Sequence, residues 1–179
     1  MMKWAIITGA SSGIGEEFAH EFYDMGYSLV MVSKTSEKLI SLKNRLEKIN
    51  AARRNKYQKK AFSRKQENPA SNMDEIESAV NNETAGTGKS NRSAKAQRIE
   101  IIAADLGDAA GMETAAAKIK ALFGDPENLP AILINSAGFG AVGDFSNISI
   151  EKQEAMIDVN VKGLVYLTYQ MLPIMEKAG

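Results

Sequence analysis

Residues Thr8 to Gly15 read T-G-A-S-S-G-I-G, and this stretch narrows the folding options of the chain more than any other. An apolar run, Trp4 to Ile7, leads into it, and the segment behind it, Ile14 to Met25, carries its apolar residues at helical spacing. Strand, glycine turn and helix therefore follow one another. Glycines at 9, 13 and 15 let the backbone turn tightly and approach a ligand. The unpaired N–H groups and positive dipole end of the new helix favour a phosphate. Ser11 and Ser12 add hydroxyls, so Gly9, Ser11, Ser12, Gly13, Ile14 and Gly15 are the first candidate binding residues. The spacing is G-x-x-x-G-x-G, not the G-x-G-x-x-G of the common dinucleotide fingerprint. Taken alone, the stretch also fits a glycine-rich turn that binds nothing.

Composition excludes several functions. With 22 basic and 22 acidic residues in 179, the chain has no bulk attraction to nucleic acid or to a membrane surface. Its 44% hydrophobic content fits one soluble domain. The absence of cysteine rules out disulfides and thiolate metal sites. The only histidine, His20, is expected on the wet side of the first helix, and no metal site is expected. No apolar run approaches a membrane span or a signal-peptide core, so a cytoplasmic protein is expected.

Along the chain, the first helix is expected to bury Phe18, Phe22 and Tyr23 and to end at Gly26. Ser28 to Val32 reads as a strand buried on both faces. A second helix is expected from about Ser36 to Ile49, with Leu39, Leu42, Leu46 and Ile49 along one face. From Ala51 to Gln97 the composition turns polar, which predicts a flexible insertion, because αβ connections usually take about 2 to 6 residues. Within it, Arg53 to Lys65 holds seven basic residues and no acidic one, a pattern that could suit an acidic partner but is read as a solvated excursion. Gly86 to Ser90, G-T-G-K-S, mimics the end of a phosphate-binding loop, yet Glu83 stands where that motif needs glycine. Joining a helix end to a strand start, the insertion should lie at the amino ends of the strands, away from a ligand crevice. Ile99 to Ala103 and Ala131 to Ile134 are further strands, with a helix from Asp108 to Phe123 between them. Ser149 to Lys177 is read as one long helix with Met156, Ile157, Val161, Leu164, Leu167, Met171 and Met175 on its apolar side, bent or ended early by Pro173.

T-G-x-x-x-G-x-G, followed by N-S-A-G at Asn135 to Gly138 and D-V-N-V at Asp158 to Val161, resembles the short-chain dehydrogenase/reductase family. The resemblance implies an α/β fold, a Rossmann-like doubly wound parallel sheet in strand order 3-2-1-4, here stopping after the fourth strand and its helix. It also implies binding of NAD or NADP. NAD-preferring dinucleotide folds place an acidic side chain near the end of the second strand. Here that corner is Ser33, Lys34 and Thr35, so NADP is expected over NAD, with Lys34 as the discriminating residue. Asp105 and Leu106 match the family's adenine-side position, where Asp105 could equally serve as a helix cap. Asn135, Ala137 and Gly138 correspond to the family's N-N-A-G segment beneath the cofactor, and Ser136 departs from it. Asn160 matches the asparagine of the family's catalytic network and is the single catalytic-network residue assigned.

The family's chemistry uses a tyrosine with a lysine four residues later, which brings the tyrosine's pKa down from near ~10. Tyr23, Tyr27, Tyr57, Tyr166 and Tyr169 are followed at that spacing by Tyr27, Met31, Ala61, Gln170 and Pro173. On the resemblance, the catalytic serine, tyrosine and lysine are expected beyond Gly179. Two functions stay open: the cofactor-binding part of an NADP-dependent oxidoreductase acting on a small-molecule carbonyl or alcohol, or a non-catalytic nucleotide-binding or interaction module. A homo-oligomer through the last helix is a further expectation.

Overall fold

The computed structural model describes residues 3–67, 97–124 and 128–178. Its strands are β1 (Trp4–Thr8), β2 (Ser28–Ser33), β3 (Ile99–Ala103) and β4 (Pro130–Asn135). Its principal helices are α1 (Gly13–Asp24), α2 (Ser36–Glu67), α3 (Ala109–Leu122), α4 (Ile150–Ile157) and α5 (Leu164–Met175). All strand pairs are parallel, in the order β3-β2-β1-β4. The expected α/β, Rossmann-like sheet is present.

Strand side chains alternate between two separate cores, as a period of two requires. Trp4, Ile6, Val30, Val32 and Ile102 face one side, where Met112 and Ile119 of α3 and Leu167 and Met171 of α5 cover them. Ala5, Ile7, Leu29, Met31 and Ile99 face the other, beneath Ala19 and Tyr23 of α1 and Leu39, Leu42 and Leu46 of α2. Burial on both faces explains why β1 and β2 read as unbroken apolar runs. β4 differs. It pairs only with β1 among the described strands, and its residues after Pro130 are half-buried or exposed.

Three helical expectations are corrected. On α1 the buried stripe is Gly15, Ala19 and Tyr23, while Phe18 is 37% exposed and Phe22 half-buried. Small residues face the sheet there because the helix starts in contact with the backbone of the glycine turn: a Cβ on Gly15 would stand 2.4 Å from the carbonyl oxygen of Gly9. The second helix does not stop at Ile49, which is 39% exposed, but continues to Glu67. At 32 residues it is about 48 Å long, whereas the five residues of β3 extend only about 17 Å. Beyond Leu46 the helix has outrun the sheet, so its sequence loses amphipathicity without losing the Ala, Arg, Lys and Gln that favour helix.

The last helix is interrupted. A π-helical segment, Asp158–Gly163, separates α4 from α5, and α5 runs past Pro173 to Met175 before a closing 3₁₀ turn. One extra residue in a turn rotates the following face by about 100°. Leu167 and Met171 are therefore fully buried, whereas Ile157, Val161 and Leu164, expected on the same side, are exposed.

Chain re-entry into the sheet is anchored by Gln97, whose Nε2 donates to the carbonyls of Tyr23 (2.6 Å) and Tyr27 (3.1 Å) and whose Oε1 accepts from Asn50 (2.9 Å). These partners lie at the amino edge of the sheet. The expected flexibility of the polar segment falls largely on residues 68–96, outside the described residues. Among the described residues no helix is long and apolar enough to cross a membrane.

Leu167 joins α5 to the sheet with no exposed surface, while Leu172 on the same helix is 50% exposed. Leu167→Ala is expected to lower the unfolding free energy by about 2–5 kcal/mol and Leu172→Ala by less than about 0.5 kcal/mol, read from urea denaturation.

Candidate functional site

Parallel strands deliver their following residues to one edge, and that edge collects the sequence's candidate residues. The turns after β1 and β4 meet there. Thr8, at the last position of β1 and 1% exposed, uses one hydroxyl for both. Its Oγ1 donates to the carbonyl of Ile134 (3.4 Å) and accepts from the N–H groups of Ser136 (3.1 Å) and Ala137 (3.0 Å). Gly9 sits against the same segment in the left-handed region (φ 66°), where a Cβ would stand 2.6 Å from the carbonyl oxygen of Ser136. No larger residue fits.

Gly13 is the opposite case. It is exposed and left-handed (φ 58°), and no atom lies within 4 Å of where a Cβ would stand, so the space beside the start of α1 is open. Ser12 precedes the helix in extended conformation, yet its side chain caps no N–H of the first turn. Ile14 is 72% exposed. Ser11 accepts a hydrogen bond from the Ser33 hydroxyl (2.7 Å), tying the glycine turn to the end of β2.

At the neighbouring corner, Lys34 Nζ lies 2.5 Å from Asp105 Oδ2. The register explains the meeting: Ser33 is the partner of Ala103, and Ala104 N–H donates to the carbonyl of Ser33 (3.0 Å), so the residues that follow the two strands leave the sheet side by side. Asp105 Oδ1 accepts from the Gly107 N–H (3.0 Å). The hydrogen bond from Lys34, then the one from Gly107, holds the Asp105 carboxyl below its ordinary range, and the same carboxylate raises the Lys34 ammonium. Asp105 is not the cap of α3. Asp108 is, accepting from Gly111 N–H at 2.6 Å. Leu106 turns its side chain into the core.

On the β4 side, the Asn135 amide donates to Thr168 Oγ1 (3.0 Å), which in turn donates to the carbonyl of Leu164 (2.7 Å). Asn135 Oδ1 is buried without a partner. Ala137 packs against the core and Gly138 is exposed. Asn160, inside the π segment, pairs its amide with the backbone of Phe139, accepting from its N–H (3.0 Å) and donating to its carbonyl (2.9 Å). The side chain of Asn160 thus holds the loop after β4, and a Cβ on Gly138 would lie 2.9 Å from its oxygen. Among the described residues no group of His, Asp or Glu is arranged to hold a metal.

The profile of a family described as short chain dehydrogenase matches residues 3–88 and 70–179. The chain belongs to the short-chain dehydrogenase family. Over 175 residues it is 29% identical to the oxidoreductase UcpA of Salmonella typhimurium, covering 98% of this chain and 47% of that protein. Over 44 residues it is 50% identical to a very-long-chain 3-oxoacyl-CoA reductase of Candida glabrata, covering 25% of this chain and 12% of that one. Among solved structures it resembles L-sorbose reductase from Gluconobacter frateurii, complexed with NADPH and L-sorbose (TM-score 0.66, 21% identity, 99% of this chain and 49% of that one). It also resembles an alcohol dehydrogenase from Thermococcus sibiricus complexed with 5-hydroxy-NADP (TM-score 0.65, 21% identity, 99% and 55%). At such identity these structural likenesses speak for the fold. The chain spans about half the length, or less, of the curated relatives named here.

The candidate residues that follow β1, β2, β3 and β4 lie along one edge of the sheet, while Leu106 and Asn135 direct their side chains inward. Sequence reading missed two contributors. Thr8 was visible as the residue opening the glycine motif, though nothing in the sequence showed its hydroxyl bridging to residues 136 and 137. The π segment left no local signal. Thr8→Val, which keeps the shape and removes the acceptor, is expected to lower stability by about 1–3 kcal/mol. Amide hydrogen exchange at Ser136 and Ala137 should accelerate with it, and Thr8→Ser should restore both.

Proposed function

We propose that this chain binds NADP(H) in preference to NAD(H) and forms the cofactor-holding part of an oxidoreductase acting on a carbonyl/alcohol pair. The observation that carries the reading is Lys34, a cation one residue beyond β2, on a strand end that has no carboxylate of its own. The residues present fit a dinucleotide. Open space at Gly13, beside a helix start whose Ser12 side chain caps nothing, suits a pyrophosphate on the first N–H groups of α1. L-sorbose reductase was solved with NADPH and the Thermococcus sibiricus enzyme with 5-hydroxy-NADP, and UcpA is named an oxidoreductase, which supports the same choice.

NADPH, when bound, supplies the hydride that reduces a carbonyl. This chain's residues hold it. Gly13 and Ser12 would meet the pyrophosphate, Lys34 the 2′-phosphate, and Asp105 with the Leu106 backbone the adenine side. The turn at Asn135 to Gly138, clamped by Thr8 and Asn160, would form the floor. The polar segment 51–97 is read as an insertion with no part in binding, supported by Gln97 rejoining at the opposite edge. Exposed Ile157, Val161, Val165 and Leu172 on the last helices are read as a self-association face.

A second reading is a nucleotide-binding or interaction module without catalysis; within these 179 residues no tyrosine has a lysine four residues later. The Asn160 amide neither gives nor accepts a proton at neutral pH.

Titration with NADPH and NADH should show tighter binding of NADPH. Lys34→Ala should weaken NADPH selectively, and Gly13→Val should weaken both by filling the open space. Equal affinities in the wild type would exclude the proposed preference. Incubated with NADPH and a panel of ketones and aldehydes, the 179-residue chain is expected to give no enzymatic turnover. Turnover that survives repurification and is lost in Gly13→Val would reveal a proton donor outside the family pattern.

A further inference from the structure

The ion pair at the ribose corner places a carboxylate where β2 has none. Ser33, Lys34 and Thr35 carry no acid, but Asp105 reaches the same corner from the end of β3, with its Oδ2 2.5 Å from Lys34 Nζ. The two partners are held differently. Asp105 is pinned by the Gly107 N–H on its second oxygen and its side chain is 31% exposed; Lys34 has no backbone anchor in this arrangement and is 76% exposed. A flexible ammonium on an exposed stem can turn to a phosphate, while the carboxylate stays with the turn.

We infer that Asp105 is a specificity-determining residue, a fixed negative charge that restrains how strongly Lys34 favours a 2′-phosphate over a free ribose hydroxyl. The inference rests on the reading of this edge as a dinucleotide site. A phosphate that Lys34 contacts from its present position lies within a few ångströms of Asp105, where a dianion is repelled and a hydroxyl donor is welcomed. Of the neighbouring groups, Ser33 is engaged with Ser11, and Asp108, turned to its own helix cap, adds a smaller attraction on Lys34 in the same direction. A lysine paired with a carboxylate also has to leave that partner, wholly or in part, to serve the phosphate. Dinucleotide preference is thus set by two strand ends acting against each other.

The test is the ratio of NADPH to NADH affinity, measured by fluorescence titration and calorimetry on the full chain. Asp105→Asn keeps an oxygen for the Gly107 N–H and removes the charge. It should raise the NADPH:NADH ratio by about three- to tenfold at low salt, with the gain shrinking as ionic strength rises. Asp105→Ser, shorter but still able to accept from Gly107, is the second variant if the first does not fold, and the same direction is expected. Lys34→Ala should shift the ratio the other way by leaving Asp105 free for a ribose hydroxyl. Binding of both dinucleotides with a ratio that stays level or falls in the neutral Asp105 variants would overturn this inference and leave the site reading intact. A wild-type chain that binds neither dinucleotide would overturn the site reading, and the inference with it.

Discussion

The Thr8 hydroxyl is the joint on which the crevice depends. Strand order runs β3-β2-β1 in one direction and places β4 on the far side of β1, so the connections after β1 and β4 diverge at that point. Open α/β sheets form their ligand crevice at such a reversal. Two diverging turns carry backbone N–H groups that no strand satisfies. Here one buried oxygen accepts two of them, from Ser136 and Ala137, while its proton goes to the Ile134 carbonyl. Gly9 makes the contact possible by presenting no side chain to Ser136. The clamp sits on the best-buried strand of the sheet, so the rim inherits the rigidity of the core.

Electrostatics at that rim is local. The chain as a whole is neutral, and at its edge strand register brings one lysine and one aspartate together. Parallel pairing of β2 with β3 ends at Ser33 and Ala103, and the first charged side chain beyond each strand has little choice of neighbour. A pair this exposed adds little to stability.

Helix geometry shows how packing overrides a reading by composition. α2 keeps winding after its apolar face is spent, because helix formation depends on backbone bonds and good formers as well as on burial. The interruption between α4 and α5 works in the reverse sense. It changes the phase of a strongly apolar stretch, sends Ile157, Val161 and Leu164 outward, and aims Asn160 at the loop after β4.

The order of strands and helices, the glycine turn, the parallel sheet and the family were legible in the sequence. Each rests on short-range chemistry: apolar period, glycine spacing and a few ordered motifs at Thr8 to Gly15, Asn135 to Gly138 and Asp158 to Val161. What the tertiary structure decided is how those pieces touch. Thr8 and Ser136 are separated by 128 positions and meet within 3.1 Å. Lys34 and Asp105 read as contacts to different parts of a nucleotide and are each other's partners. Asp108, not Asp105, caps a helix, a choice made by three residues of helical geometry that the letters D-L-G-D do not separate. Pattern along a chain records which side chains prefer burial or a turn; distances between strand ends come only from closing the sheet, since register and helix phase are set by the summed packing of all its elements.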